Sequence, residues 1–178
     1  MLRMTASDTQ AWIANTDPVH VVPLDDPVVE ALGHDVNGDY AEIYWLPVIG
    51  PSALWALRRL TRWLDESPDG YPLAIGPFAR ELGLGEGAAR SSPVVRTLAR
   101  LVCFGLAEIR GGQLMVRRRV PPLARRHQQR LPAHLVAQHQ AVMEAGAVAE
   151  IAGGRTGTVG EADPSARRAP HGGTRSVS

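Results

Sequence analysis

Arginine side chains are concentrated between residues 90 and 119, at spacings that could gather several guanidinium groups on one surface. Arg96 and Arg100 are four residues apart, which puts them on the same face of a helix, and an unbroken run of three arginines spans 117–119. A guanidinium group donates paired hydrogen bonds to phosphate oxygens or to O6 and N7 of guanine. The arginines could therefore bind nucleic acid, or they could belong to the ordinary solvated surface of the domain.

Charge is unevenly distributed along the chain. Residues 1–66 hold four arginines against ten acids, a net charge of −6, whereas residues 67–144 hold eleven arginines against five acids, a net charge of +6. All nineteen basic residues are arginine, which is typical of codon bias in a high-GC genome, so only the positions of the arginines bear on function. The polarity is typical of a basic binding face joined to a separate acidic surface.

Length and composition favour one domain with additional tail. The chain has 178 residues, of which 44% are hydrophobic, enough to bury a core. Its single cysteine, Cys103, cannot form an internal disulfide, and we expect it to be a small buried hydrophobe. The first twenty-five residues contain acids and no long apolar stretch, so we expect a cytoplasmic protein without a membrane partner.

Three regions are predicted. Residues 1–25 are expected to be a flexible N-terminal arm, although Trp12, Ile13 and 19–24 could lie against the domain. Residues 26–144 are expected to form the domain, with its core in 50–120. The remaining segment, 145–178, is rich in Gly, Ala, Ser, Thr and Pro and without aromatic residues, which predicts a disordered tail.

The predicted fold class is mainly α with a small β-hairpin. Leucines at helical spacing in 51–66 predict a long helix, and Ser92 followed by Pro93 predicts the start of a second one. "LAEIR", "GG" and "QLMVRRR" alternate with period two around a Gly-Gly turn, which predicts a hairpin. Short helices are expected before this core, from 27 to 47, and an amphipathic helix after it.

The order of these elements over residues 50–120 resembles the winged helix-turn-helix superfamily. "FARELGLGEG" is similar to its first helix and turn, "PVVRTLARLVCFGLAEI" to its recognition helix running into the wing, and "GG" to the wing tip. The link "GLGEGAARSS" is longer than the usual turn; it would lengthen the recognition helix at its front or form a loop. The resemblance implies a non-enzymatic protein that binds duplex DNA and regulates transcription.

The resemblance also implies which side chains meet the DNA. The front and exposed flank of the recognition helix would approach base edges, and the wing would contact the backbone or the minor groove. The predicted contacts are Arg90, Ser91, Ser92, Arg96, Thr97 and Arg100 on the helix and Arg110, Arg117, Arg118 and Arg119 on the wing.

Other interpretations of the same residues remain open. Arg96 and Arg100 would be solvated on any amphipathic helix, and 117–119 could flank an edge strand, where charge discourages aggregation. The domain could instead dock an acidic protein partner without binding DNA. In a third interpretation, the acidic N-terminal half masks the basic face within the same chain.

The segment after the predicted wing offers two further expectations. Arg125, Arg126 and Arg130 are near enough in sequence to extend the basic surface. The amphipathic helix in 132–144 would either form a homodimer or fold back onto the short helices of 27–47.

No catalytic, metal or cofactor site is predicted. His127, His134 and His139 lack the i, i+4 spacing of a metal pair, and neither CxxC nor HExxH occurs. "HDVNGD" lacks the distal glutamate of a calcium loop, and "GLGEG" is not followed by the lysine of a P-loop. We expect no enzymatic activity.

Overall fold

Helices occupy more of the chain than strands in the computed structural model, which describes residues 4–153. The helices are α1 (Ala6–Asn15), α2 (Pro27–Leu32), a π-helical turn (Ala41–Trp45), α3 (Leu46–Ile49), α4 (Pro51–Glu66), α5 (Ile75–Glu81), α6 (Pro93–Cys103), α7 (Arg125–Gln128) and α8 (Ala133–Gly153). The strands are β1 (Val19–Pro23), β2 (His34–Asp35), β3 (Tyr71–Leu73), β4 (Ala107–Arg110), β5 (Gln113–Val116) and β6 (Arg119–Val120).

The two long core helices form where their sequences predict them. In α4, Pro51 occupies the first turn and the leucine stripe of 54–64 is buried. In α6, the Ser92 hydroxyl accepts the backbone N–H of Val95, and Pro93 follows at the first helical position. The first N–H groups of a helix have no partner within the helix, so proline, which lacks an N–H, loses no hydrogen bond at this position. Burial of one face then supplies most of the stability of each helix.

The β4–β5 hairpin forms around the predicted Gly-Gly turn. Ala107 pairs with Val116, Ile109 with Leu114, and Arg110 with Gln113. Gly111 and Gly112 take φ values of 59° and 75°, the left-handed conformation that a two-residue primed turn requires.

The N-terminal segment is ordered, which corrects the prediction of a flexible arm. Residues 6–15 form α1, which begins with a reciprocal capping box between Thr5 and Asp8. Strand β1 lies inside a four-stranded sheet of order β3-β1-β5-β4, antiparallel to β3 and parallel to β5. Val19 and Val21 are fully buried, so this short apolar stretch is ordered by the core it completes and not by local propensity.

The fold is therefore mixed α/β, with more sheet than the single hairpin expected from sequence. Strand β1 joins β3 to the β4–β5 hairpin, and β2 pairs with β6 in a second, two-stranded sheet. Strand β6 begins at Arg119, the last residue of the arginine run. The sequence pattern does not predict that this residue pairs with β2.

The aromatic segment before α4 is buried and receives the start of α8. Tyr40, Tyr44 and Trp45 belong to the core, and Leu135 and Val136 pack against it. His139 is buried, so residues 135–139 adopt the fold-back arrangement, and a homodimer through 132–144 stays a prediction. Val142 and Met143 are exposed. Helix α8 continues to Gly153, and the rest of the predicted disordered tail lies outside the described residues.

Across residues 4–153, no helix combines the length and the apolar composition needed to cross a bilayer.

Candidate nucleic-acid interface

Helix α6 presents a narrow exposed face beside its buried stripe. Val94, Val95, Leu98 and Leu101 are buried, whereas Arg96 and Arg100 are exposed one turn apart. The Arg96 guanidinium donates to no acceptor in the described part of the chain, whereas Arg100 Nη2 donates to the Val48 carbonyl at 3.4 Å. The exposed face of this helix therefore carries two guanidinium groups, and one long hydrogen bond ties that of Arg100 to the domain.

The other helix-side residues of the predicted interface divide into two groups. Arg90 and Ser91 are exposed just before α6, and an Nη of Arg90 hydrogen-bonds to the Ser7 hydroxyl of α1. Ser92 and Thr97 are each only 8% exposed. Ser92 caps the helix with its hydroxyl, and Thr97 faces inward, so the expectation that these two side chains reach base edges is corrected.

A phenylalanine at the end of α6 brings a second basic segment to this face. The guanidinium carbons of Arg100 and Arg130 lie 5.7 and 5.0 Å from the centroid of the Phe104 ring. Cation–π contact of this kind favours a cation over the ring face. Phe104 thus holds the α6 arginine and the arginine that follows α7 in one patch.

His127 connects Arg126 to the same patch. Its ring centroid lies 5.2 Å from that of Phe104, and Arg126 Nε donates to His127 Nε2 at 3.1 Å. Burial lowers the pKa of His127, and the positive charges of Arg126 and Arg130 lower it further. A neutral imidazole accepts the Arg126 hydrogen bond, which leaves the arginines to carry the charge.

We call Arg96, Arg100, Arg126 and Arg130 the basic cluster. All four are exposed, and none takes part in the five ion pairs found among the described residues. Sequence reasoning placed Arg126 and Arg130 near the wing but missed Phe104. The available signal was an aromatic residue four positions after Arg100, where the helix face continues.

The run of three arginines hydrogen-bonds to backbone carbonyls of the chain itself. Arg117 Nε donates to the Gly105 carbonyl at 2.8 Å, Arg118 Nη2 to the Leu64 carbonyl at 3.1 Å, and Arg119 Nε to the Gly33 carbonyl at 3.0 Å. All three side chains are half-buried. They join the end of the hairpin to three other parts of the chain, and contact of this run with DNA stays a prediction.

Arg110 is the predicted wing arginine that remains at the surface. Its guanidinium donates to Glu108 on the same strand, at 2.9 Å from Nη2 to each carboxylate oxygen. This exposed ion pair sits beside the Gly-Gly turn and is weak in water, so an external phosphate could exchange with Glu108.

Among the described residues, one acidic residue of the N-terminal half forms an ion pair with the basic half. Asp26 Oδ2 accepts from Arg117 Nη1 at 2.7 Å, and this hydrogen bond lowers the pKa of Asp26. Arg58, within the acidic half itself, pairs with Glu42. Neither pair involves an arginine of the basic cluster. These ion pairs therefore do not mask that cluster.

The long link before α6 is a loop and does not extend the helix. Gly83 and Gly85 have φ values of 67° and 85°, and α6 starts only at Pro93. Leu84 and Ala88 pack against the core, which fixes the loop to the domain.

Within residues 4–153, the His, Cys, Asp and Glu side chains form no candidate metal site. Cys103 is exposed at the end of α6, a correction to the expected buried position. Over residues 4–153, no group of three or more His, Cys, Asp and Glu side chains is placed to hold a metal ion. The geometry of this surface is thus that of a basic patch around an aromatic ring.

No protein-family model, curated protein or solved structure matches this chain.

Proposed function

We propose that the chain binds duplex DNA, without catalysis, as a regulator of transcription. The observation that carries this proposal is the basic cluster: four exposed arginines, two of them one turn apart on α6, with no carboxylate partner among the described residues. Unpaired arginines displace counterions from DNA on binding, which supplies affinity. Arginine on an exposed helix can also discriminate guanine.

The element order supports a winged-helix unit as the frame. Helix α4, strand β3, helices α5 and α6, and the β4–β5 hairpin follow one another as in that fold. In this proposal α6 is the recognition helix and the Gly111–Gly112 turn is the tip of the wing. Strand β1, between β3 and β5, and α1, against α6, are additions to the basic unit.

The proposed contacts follow from accessibility. Arg96 and Arg100 approach base edges from α6, with Arg90 and Ser91 at its front. Arg126 and Arg130 contact phosphates beside them, and Arg110 contacts the backbone from the wing.

Fluorescence anisotropy on duplexes selected from genomic fragments, and on scrambled duplexes, tests this proposal. We expect Arg96→Ala and Arg100→Ala to weaken binding to a selected duplex by about 1–3 kcal/mol, with a smaller effect on scrambled DNA. Arg126→Ala and Arg130→Ala should weaken both alike, and each should reduce the slope of log affinity against log salt by nearly one unit.

Arg62→Ala is the matched control, because Arg62 is an exposed arginine on α4 that pairs with Glu66. It should leave both affinities unchanged. If the wild-type protein shows no saturable binding to any duplex at low salt, DNA binding is rejected and docking to an acidic protein partner replaces it. If Arg62→Ala weakens binding as much as Arg96→Ala, the protein binds DNA by general charge and not through α6.

A further inference from the structure

A cavity of about 530 Å³ lies between the start of α1, one flank of α6 and strand β4. Small-molecule sites typically enclose roughly 300–1,000 Å³ and are lined mainly by apolar side chains. The apolar residues that line this cavity include Met4, Leu24, Ala99, Val102, Ala107 and Ile109. Its size and lining therefore suit a small organic molecule.

Two charged residues line the cavity, and each is already paired. Arg117 donates to the Gly105 carbonyl through Nε and to Asp26 through Nη1, which leaves Nη2 without an acceptor in the described part of the chain. Glu108 accepts from Arg110. Because Asp26 balances the Arg117 charge, the cavity offers an N–H donor without net positive charge. An uncharged ligand fits this arrangement better than a carboxylate does.

We propose that this cavity binds a small uncharged molecule with a mainly apolar body and one carbonyl or ether oxygen that accepts from Arg117. The apolar walls would enclose the body, since burying its surface is favourable. The Arg117 Nη2–H would orient the oxygen, because this donor has no acceptor in the described part of the chain.

The cavity adjoins the exposed face of α6. Ala99, Val102 and Cys103 share one flank of that helix, and Cys103 comes next to Arg96 and Arg100 around its circumference. A bound molecule would hold α1 and α6 together beside the basic cluster. Any effect of the bound molecule on DNA affinity rests on the proposed DNA binding, whereas ligand binding itself does not.

Nile red is a suitable probe, since it is an uncharged dye with a flat apolar body and one carbonyl. We expect a saturable rise in its fluorescence with one site per chain. Cys103 is the only cysteine of the chain and lines the cavity, so its reaction with a thiol reagent such as DTNB reports occupancy. At a dye concentration ten times Kd, when about nine sites in ten are filled, this reaction should slow measurably, although the exposed thiol keeps some reactivity.

Val102→Phe places a larger side chain in the cavity and should weaken Nile red binding by about tenfold or more. Val28→Phe is the matched control, because Val28 is 64% exposed and lies outside the cavity; it should bind like the wild type. Circular dichroism establishes that both variants are folded.

Binding that a folded Val102→Phe variant retains in full would overturn the proposal, and so would the absence of saturable binding by the wild type. If Val102→Phe does not fold, the wild-type reaction decides: protection of Cys103 by the dye supports the site, and an unchanged rate rejects it. A protein that binds DNA but not Nile red rejects this inference alone, so the two proposals fail separately.

Discussion

The Tyr40 hydroxyl lies 2.7 Å from Nε2 of His139 and also accepts the backbone N–H of Leu123 at 2.9 Å. The hydroxyl oxygen accepts from Leu123 and still has its own proton to donate to Nε2. This arrangement suits a neutral imidazole that carries its proton on Nδ1. This hydrogen bond attaches the first part of α8 to the aromatic segment before α4.

Acid should destabilise the protein through this group. Burial lowers the pKa of His139 below its ordinary 6.5, and burial also lowers the pKa values of His34, stacked on Tyr40, and His127. A histidine with a lower pKa in the folded state binds protons more readily when unfolded. Its contribution is fully present above about pH 6.5 and is lost as the pH falls towards the folded-state pKa.

We expect the free energy of unfolding, measured in urea, to fall between pH 7.5 and pH 5.5. His139→Gln should make this fall shallower, because the variant removes one of the groups responsible. His20→Gln, at an exposed position in β1, is the control and should retain the wild-type slope. An identical slope in all three proteins would contradict this role of His139.

Replacing Arg117 with alanine should lower the free energy of unfolding much more than replacing Arg110 with alanine. Removing Arg117, whose side chain is 18% exposed, leaves the Gly105 carbonyl without its donor, and we expect unfolding to become easier by about 1–3 kcal/mol. Removing Arg110 breaks only an exposed pair, worth about 0–1 kcal/mol. Urea unfolding measures both, and a larger loss for Arg110→Ala would show that the hairpin arginine is the structural one.

Gly70 and Gly112 provide a matched test of backbone conformation and space. Both have positive φ, 105° and 75°, but a Cβ on Gly70 would lie 2.5 Å from the Val21 carbonyl oxygen, whereas one on Gly112 meets nothing within 4 Å. We expect Gly112→Ala to destabilise by about 1–2 kcal/mol through conformation alone. Gly70→Ala should lower the thermal midpoint considerably further. Equal effects of the two variants would mean that the Val21 carbonyl moves aside without cost.

Deletion of residues 1–25 should abolish cooperative unfolding. The deletion removes β1 from between β3 and β5 and removes Ile13, Val19 and Val21 from the core. Unpaired strand edges and lost apolar burial both favour the unfolded state. Thermal unfolding followed by circular dichroism measures the result, and a sharp transition near the wild-type midpoint would show that β3 and β5 can pair directly.

The parts of the fold that sequence predicts well are those that local patterns specify. The leucine stripe of 54–64, the Ser92-Pro93 start of α6 and the Gly111-Gly112 turn each encode their structure within a few residues. Strand β1 was misassigned because "VHVVP" gains its structure from partners far away in sequence. No local signal distinguishes such a strand from an extended arm.

In the candidate interface, too, the sequence predicts the local features and not those that depend on distant partners. The helix face of Arg96 and Arg100 follows from their spacing, and both side chains are exposed as expected. The partners of 117–119 are backbone carbonyls at Gly33, Leu64 and Gly105, and only the tertiary fold brings these near. A guanidinium group suits a carbonyl as well as a phosphate, so residue type alone does not separate the two roles.

The parallel pairing of β1 with β5 also has a consequence during synthesis. Val21 and its partner Leu114 are about 90 positions apart, so β1 leaves the ribosome long before its neighbour exists. Closing so large a loop slows folding. Until β5 emerges, the nascent chain exposes an apolar strand with an open edge, which is the kind of segment that chaperones shield from aggregation. The strand that is translated first can pair with β3 earlier but waits longest for its parallel partner.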